Sequence, residues 1–95
     1  MAFESQDLDI TFDAPIGVRI KGETWPCVEL PGSKEIFGTG KSVKVVGTVD
    51  GLPLTSAFMP TGSGGHMVSI SAKLRKQLGK DVGDTVTIRL KRRLS

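Results

Sequence analysis

The 95 residues carry 38% hydrophobic and 24% charged side chains, an ordinary balance for one globular domain that excludes a largely disordered chain. The single cysteine, Cys27, excludes an intrachain disulfide framework and any metal site built from cysteines alone. No apolar run approaches the roughly 18 residues that span a bilayer, and the polar N-terminus is unlike a signal peptide. We therefore expect a cytoplasmic protein, without membrane association, whose residues 1–95 form one domain.

The net charge of +3 hides an uneven distribution along the chain. Residues 1–65 carry a net charge of −3, whereas residues 66–95 carry +6. A basic segment of this kind is either a solvated face or a contact surface for an anionic partner. The ends are expected to be a loose leader at residues 1–7 and a basic tail at residues 92–95.

The first part of the chain predicts short strands. Apolar and polar side chains alternate over residues 8–13 and again over residues 16–20. A third strand is expected at residues 25–30, at a sheet edge or a strand start, because Pro26 has no amide donor for a ladder. Residues 31–40 are expected to be irregular, with one short turn at residues 34–37.

A β-hairpin is the clearest prediction of the middle part. The strand at residues 42–49 is followed by Asp50-Gly51, a pair that favours a type I′ turn because both central positions need a positive φ angle. Residues 52–59 then form the return strand. A glycine-rich connection, residues 61–65, leads to a strand at residues 67–70.

The last third predicts one helix, residues 71–78, before a final strand at residues 85–90. Ser71 is a suitable N-cap, Leu74 and Leu78 share the apolar face, and Gly79 is a natural C-terminal stop.

The order of these elements along the whole chain predicts a mainly β fold of six or seven short strands and one short helix, curled into a small barrel that covers its apolar face. The aliphatic and aromatic residues of these elements are the expected core: Phe12, Val28, Leu30, Val45, Val49, Phe58, Val68, Ile70, Leu74, Leu78, Val86 and Ile88. The remaining aromatic side chains, Phe3, Trp25 and Phe37, are expected to join that core.

From Trp25 onward the chain resembles a bacterial family with no assigned activity, the domain of unknown function catalogued as 1905. The matching segments are residues 25–31, 37–40, 45–51, 57–66, 74–75, 78–79 and 82–86. The resemblance implies a small double-split β-barrel. This fold is shared with swapped-hairpin regulators and antitoxins of the AbrB and MazE type, which are similar in the short helix motif Leu74-Arg75-x-x-Leu78-Gly79 and the following Gly83-Asp84 turn.

A glycine-rich loop is the first candidate site. In Gly62-Ser63-Gly64-Gly65-His66, successive backbone amides could form a nest for a small anionic ligand, whose charge His66 or Arg75 would share. The candidate ligand-binding residues are Gly62, Gly64, Gly65, His66 and Arg75. The simpler interpretation is a turn in which glycines supply positive φ angles.

The basic C-terminal third is the second candidate site. Lys73 and Lys76 on the predicted helix, with Arg92 and Arg93 in the tail, could neutralise the phosphates of a nucleic acid. The alternative is a basic face that is simply solvated.

Other chemistry finds little support in the sequence. Residues 38–42 end like a P-loop, but Glu35 stands where that motif needs a glycine, and no helix is predicted to follow. A single histidine, His66, and a single cysteine, Cys27, do not make a zinc site, although a nucleophilic pair of the two stays open. We expect no cofactor and no metal.

The sequence thus predicts a non-enzymatic binding or interaction module, whose partner is an unknown protein or a small anionic ligand. One alternative is a weak DNA-binding or regulatory protein that uses the basic C-terminal third. The other is an enzyme with a site near His66 and Arg75.

Overall fold

The computed structural model describes residues 6–62 and 65–94, and within these ranges the chain forms eight strands and two helices. The strands are β1 (Gln6–Pro15), β2 (Val18–Ile20), β3 (Glu23–Trp25), β4 (Cys27–Leu30), β5 (Val43–Val49), β6 (Leu52–Pro60), β7 (His66–Ser69) and β8 (Thr85–Arg93). The helices are α1 (Ser33–Phe37) and α2 (Ala72–Leu78). The mainly β prediction is confirmed, with one more strand and one more helix than expected.

Both additional elements have local causes. Pro26 interrupts the predicted strand at residues 25–30, because it has no amide to donate, so β3 pairs with β2 while β4 pairs with β7. Helix α1 lies where the sequence predicts a short turn, within the segment expected to be irregular. It is bounded by Gly32 and Gly38, which both adopt the left-handed conformation, and the Gly38 amide donates to the Lys34 carbonyl.

Six strands form one sheet in the order β1-β8-β5-β6-β7-β4, and β2 and β3 form a separate two-stranded ribbon. Every neighbouring pair is antiparallel. The sheet curls into a half-barrel that brings its two edge strands together. The Gly17 amide, just after β1, donates to the Cys27 carbonyl of β4 at 2.7 Å.

The β5–β6 hairpin has the predicted two-residue turn. Asp50 and Gly51 have φ angles of 47° and 83°, and Val49 pairs with Leu52. The helix prediction is also confirmed, since the Ser71 hydroxyl accepts a hydrogen bond from the Leu74 amide at 3.1 Å.

The core lies on the concave side of the curled sheet. Nine predicted members are fully or almost fully buried: Val28, Leu30, Val45, Val49, Phe58, Val68, Ile70, Val86 and Ile88. The other three, Phe12, Leu74 and Leu78, are half-buried and pack against them. Phe37 is buried as expected, but the prediction for Trp25 is wrong: its side chain is 46% exposed because β3 belongs to the ribbon and not to the curled sheet. Phe3 lies outside the described residues.

The predicted chain ends are shorter than expected. Gln6 and Asp7, placed in the leader by the sequence, lie in β1, and Arg92 and Arg93, placed in the tail, lie in β8. The two pairs face each other in the β1–β8 ladder. The rest of the predicted leader, residues 1–5, and Ser95 lie outside the described residues.

Candidate functional site

His66 begins β7 and points into the core. Its side chain is fully buried. It lies on the same inner face of the sheet as Leu30, with which it pairs on β4. The Nε2 atom lies 2.8 Å from the Lys41 carbonyl oxygen, and the Nδ1 atom lies 2.8 Å from the Ser33 hydroxyl. A carbonyl oxygen only accepts hydrogen bonds, so in the neutral ring Nε2 carries the proton and Nδ1 accepts from Ser33.

This arrangement connects three separate segments of the chain. Ser33 begins α1, and Lys41 precedes β5. The His66 and Phe37 rings pack edge to face, with centroids 5.1 Å apart. A hydroxyl that is hydrogen-bonded to an imidazole is the arrangement that serine nucleophiles and their histidine bases use in catalysis. Here Ser33 is only 1% exposed, so the pair has no access to a substrate in this conformation and instead holds α1 against the sheet.

Two residues of the predicted anion site, His66 and Arg75, lie in different environments. Arg75 donates from Nη1 to the Ile70 carbonyl at 2.7 Å and pairs with Asp81 at 3.3 Å, and neither contact involves His66. The glycine connection is closed by a hydrogen bond from the Thr61 amide to the Gly65 carbonyl at 3.0 Å. Ser63 and Gly64 lie outside the described residues.

The charged residues that line a cleft together with Gly62 come from other elements. Gly62 has a φ angle of 88° and lines a surface cleft of about 540 Å³ together with Arg19, Lys21 and Glu29. The cleft therefore combines two cationic side chains with one carboxylate. No local sequence pattern indicates this grouping, because the three charged residues come from two strands and a turn.

Cys27 and His66 cannot act as a pair. Cys27 alternates with the inward-facing Val28 and therefore lies on the outer face of the sheet, opposite to the face that holds His66. Burial raises the pKa of the Cys27 thiol, an effect that a hydrogen bond with Ser69 partly offsets. A thiol with a raised pKa stays protonated and is a poor nucleophile near neutral pH.

Cys27 forms the floor of an apolar groove on the outer face of β4, β7 and β6. The groove has a volume of about 520 Å³, and its walls include Trp25, Met59, Pro60 and Met67. Met67 faces Met59 across the β6–β7 ladder. Trp25 is 46% exposed and Met59 is 50% exposed, whereas Cys27 beneath them is 4% exposed. Sequence reasoning missed this groove because it assigned Trp25 to the core.

The predicted nucleic-acid residues are divided among different environments. Lys73 and Lys76 are exposed on α2. Arg92 pairs with Asp7, while Arg93 donates from Nη1 to the Phe37 carbonyl at 2.6 Å and lies over the Phe37 ring. Two of the four cations are thus engaged within the domain.

Metal and membrane sites receive no support from the described ranges. Within them, no three His, Cys, Asp or Glu side chains cluster in a way that could hold a metal ion. Neither helix of the described part has the length and hydrophobicity of a membrane span.

Comparison with known proteins identifies the family of the chain. Residues 12–90 match the family model described as Domain of unknown function (DUF1905). No curated protein matches the chain. The matched region includes β2 to β7, both helices, the end of β1 from Phe12 onward and β8 as far as Leu90. The chain therefore belongs to the DUF1905 family.

Proposed function

We propose that this domain is a non-enzymatic interaction module that binds an apolar segment of a partner protein in the groove above Cys27. The observation that carries the proposal is the exposure of Trp25 and Met59 beside a buried floor. Exposed apolar patches of this kind mark interaction surfaces more often than isolated exposed side chains do. The volume of about 520 Å³ lies within the range of ligand-binding pockets.

The chemistry of the walls favours an uncharged occupant. Apart from the Cys27 thiol, which its raised pKa keeps neutral, the groove is lined by side chains that do not ionise. A charged group entering it would lose hydration without gaining a counter-charge. The flexible side chains of Met59 and Met67 can adjust to the shape of a segment that packs between them.

Trp25 supplies the measurement, because it is the only tryptophan in the chain. An uncharged peptide rich in leucine and phenylalanine is titrated against the protein, and Trp25 fluorescence and backbone NMR shifts are followed. We expect a saturable blue shift of the emission and shifts confined to β4, β6 and β7. The same peptide with aspartate in place of its apolar residues should give neither.

A matched pair of variants tests the location. Met59→Glu places a carboxylate on the wall of the groove. Thr55→Glu introduces the same side chain on the same strand and the same face, outside the groove. Both positions are exposed, so both variants should fold. Binding should be lost in Met59→Glu and kept in Thr55→Glu. Equal binding by the two variants, or no saturable signal with the apolar peptide, would refute the proposal.

We also propose that the domain belongs to a bacterial, cytoplasmic protein related to AbrB- and MazE-type proteins. A cytoplasmic setting is supported by the single buried cysteine, which needs no oxidising compartment. A bacterial origin is proposed only from the family resemblance of the chain. A relation to AbrB- and MazE-type proteins is supported by the helix motif at Leu74-Arg75 and Leu78-Gly79. Fold alone would not transfer the activity of those proteins to this chain.

A further inference from the structure

Strands β1 and β8 carry opposite charges and lie side by side. Asp7 and Asp9 of β1 pair with Arg92 and Arg89 of β8, at 3.3 Å and 3.6 Å respectively. Acidic side chains of β1 thus lie beside basic side chains of β8. All four side chains are more than half exposed, so water and salt reach both pairs.

An irregularity in β8 places Arg92 on the outer face. Leu90 pairs with Gly47 and Arg92 with Val46, so Lys91 is an extra residue in the ladder between β8 and β5. The extra residue reverses the alternation of side chains. As a result Arg93, and not Arg92, turns inward to Phe37.

A hollow lies beside Arg92 on this outer face. Its volume is about 390 Å³, and its lining consists of Asp7, Val46, Lys91, Arg92 and Leu94. The hollow is therefore lined by two cationic side chains, one carboxylate and two apolar side chains. Within residues 6–62 and 65–94, the guanidinium of Arg92 makes one hydrogen bond, from Nε to Oδ1 of Asp7 at 3.3 Å.

We propose that this hollow binds a phosphate group. In the absence of phosphate, Asp7 pairs with Arg92, and a bound phosphate replaces the Asp7 carboxylate as the partner of the guanidinium. A guanidinium recognises phosphate through two parallel hydrogen bonds, and the long single contact to Asp7 leaves its terminal nitrogens available as donors. An exposed ion pair contributes little free energy, so its carboxylate yields readily to a ligand of higher charge. Lys91 adds a second positive charge to the same hollow.

This proposal is independent of the apolar groove, since the two sites share no residue. The phosphate could come from a small phosphorylated compound or from a nucleic-acid backbone. The chemistry is the same in both cases, so the experiment includes inorganic phosphate and a mixed-sequence duplex DNA as separate probes.

The decisive comparison is between Asp7→Asn and Asp13→Asn. Both substitutions remove one negative charge from β1 and keep the size of the side chain. Asp7→Asn releases Arg92, whereas Asp13 bonds to the Thr87 hydroxyl at 2.7 Å and restrains no arginine. Binding is followed through the backbone amides of β8 and the Arg92 Nε–H resonance.

We expect Asp7→Asn to bind phosphate or duplex DNA roughly three- to tenfold more tightly than the parent protein, because a competing contact and a repulsive charge are both lost. Asp13→Asn should change the affinity less than about twofold, since only long-range charge is altered. Adding Arg92→Gln to Asp7→Asn should abolish the gain. A signal with inorganic phosphate would identify a small-molecule source. A signal with DNA alone, falling steeply with salt, would identify a nucleic-acid source.

Two results would overturn the proposal. Equal gains in Asp7→Asn and Asp13→Asn would show that net charge alone controls binding. The absence of a saturable shift in Asp7→Asn with both probes would show that the hollow holds no phosphate. Thermal unfolding of each variant identifies any effect that comes from loss of structure.

Discussion

Gly47 of β5 lies directly against the backbone of Arg89 in β8. A Cβ atom added to Gly47 would overlap the Arg89 carbonyl oxygen and would lie 3.1 Å from the Leu90 Cα. Backbone atoms cannot move aside as a flexible side chain can. Gly47 therefore permits the close approach of the two strands where the extra residue Lys91 enters the ladder.

Replacing Gly47 with Ala should destabilise the domain by about 1–3 kcal/mol or more, because β5 and β8 must separate. Gly40→Ala is the matched control, since a Cβ atom at Gly40 meets no atom within 4 Å. Urea denaturation measures both. A Gly47→Ala protein as stable as Gly40→Ala would contradict the described pairing of β5 and β8.

His66→Ala should lower the free energy of unfolding by about 2–5 kcal/mol. The substitution opens a cavity and leaves the Ser33 hydroxyl and the Lys41 carbonyl without their partner. Ser33→Ala should cost about 1–2 kcal/mol, because only one of the two hydrogen bonds is lost. In the double variant the two effects should not add, since both act on the same contact. If His66 were an exposed ligand-binding residue, its replacement would leave stability unchanged.

Asp50 gives the domain a specific dependence on pH. The pKa of its carboxyl lies below the ordinary value of 3.8, mainly because Lys80 donates to it at 2.6 Å and also because the Thr87 amide donates at 2.7 Å. A depressed folded-state pKa stabilises the native state fully above the unfolded-state value, and that stabilisation is lost as the pH falls below about 4.

Asp50→Asn should therefore be about 1 kcal/mol less stable than the parent at pH 7, with a difference that shrinks as the pH falls from 4 to 2. Asparagine also tolerates the positive φ angle of this turn, so the hairpin should persist. Lys80→Met should show the same trend, because it removes the other partner. A difference between Asp50→Asn and the parent that stays constant from pH 7 to pH 2 would exclude this carboxylate as the cause.

Leu74→Ala should cost about 2 kcal/mol, near the lower end for leucine truncation, because the side chain is half-buried against the core. Lys73→Ala, on the exposed side of α2, should change stability by less than about 0.5 kcal/mol. Thermal or urea unfolding compares the two. Equal effects would place the apolar side of α2 away from the core.

Local chemistry accounts for the parts of the fold that could be predicted from sequence. The hairpin at Asp50-Gly51 and the helix after Ser71 depend on backbone conformations and caps that a few neighbouring residues decide. The Ser33–His66 bond and the Asp50–Lys80 pair join residues 33 and 30 positions apart, so no local pattern indicates them. The uneven distribution of charge is visible in the sequence. The pairing of Arg92 with Asp7 could not be predicted without the sheet order, which places β1 beside β8.

Trp25 shows a different limit. A large aromatic side chain in an apolar strand normally indicates burial. Its strand pairs only with β2, so Trp25 lies at the rim of the groove and not inside the half-barrel. The sequence pattern identified the strand but could not identify the sheet to which the strand belongs.

The pairing of Gln6 with Arg93 has a consequence for engineering. Because the first and last described strands run antiparallel at the same side of the sheet, Gln6 and Arg93 lie next to each other. A short peptide could join them, with new termini opened at the exposed turn residue Gly51. For the same reason the domain could be inserted into a surface loop of another protein without forcing the two sides of that loop apart.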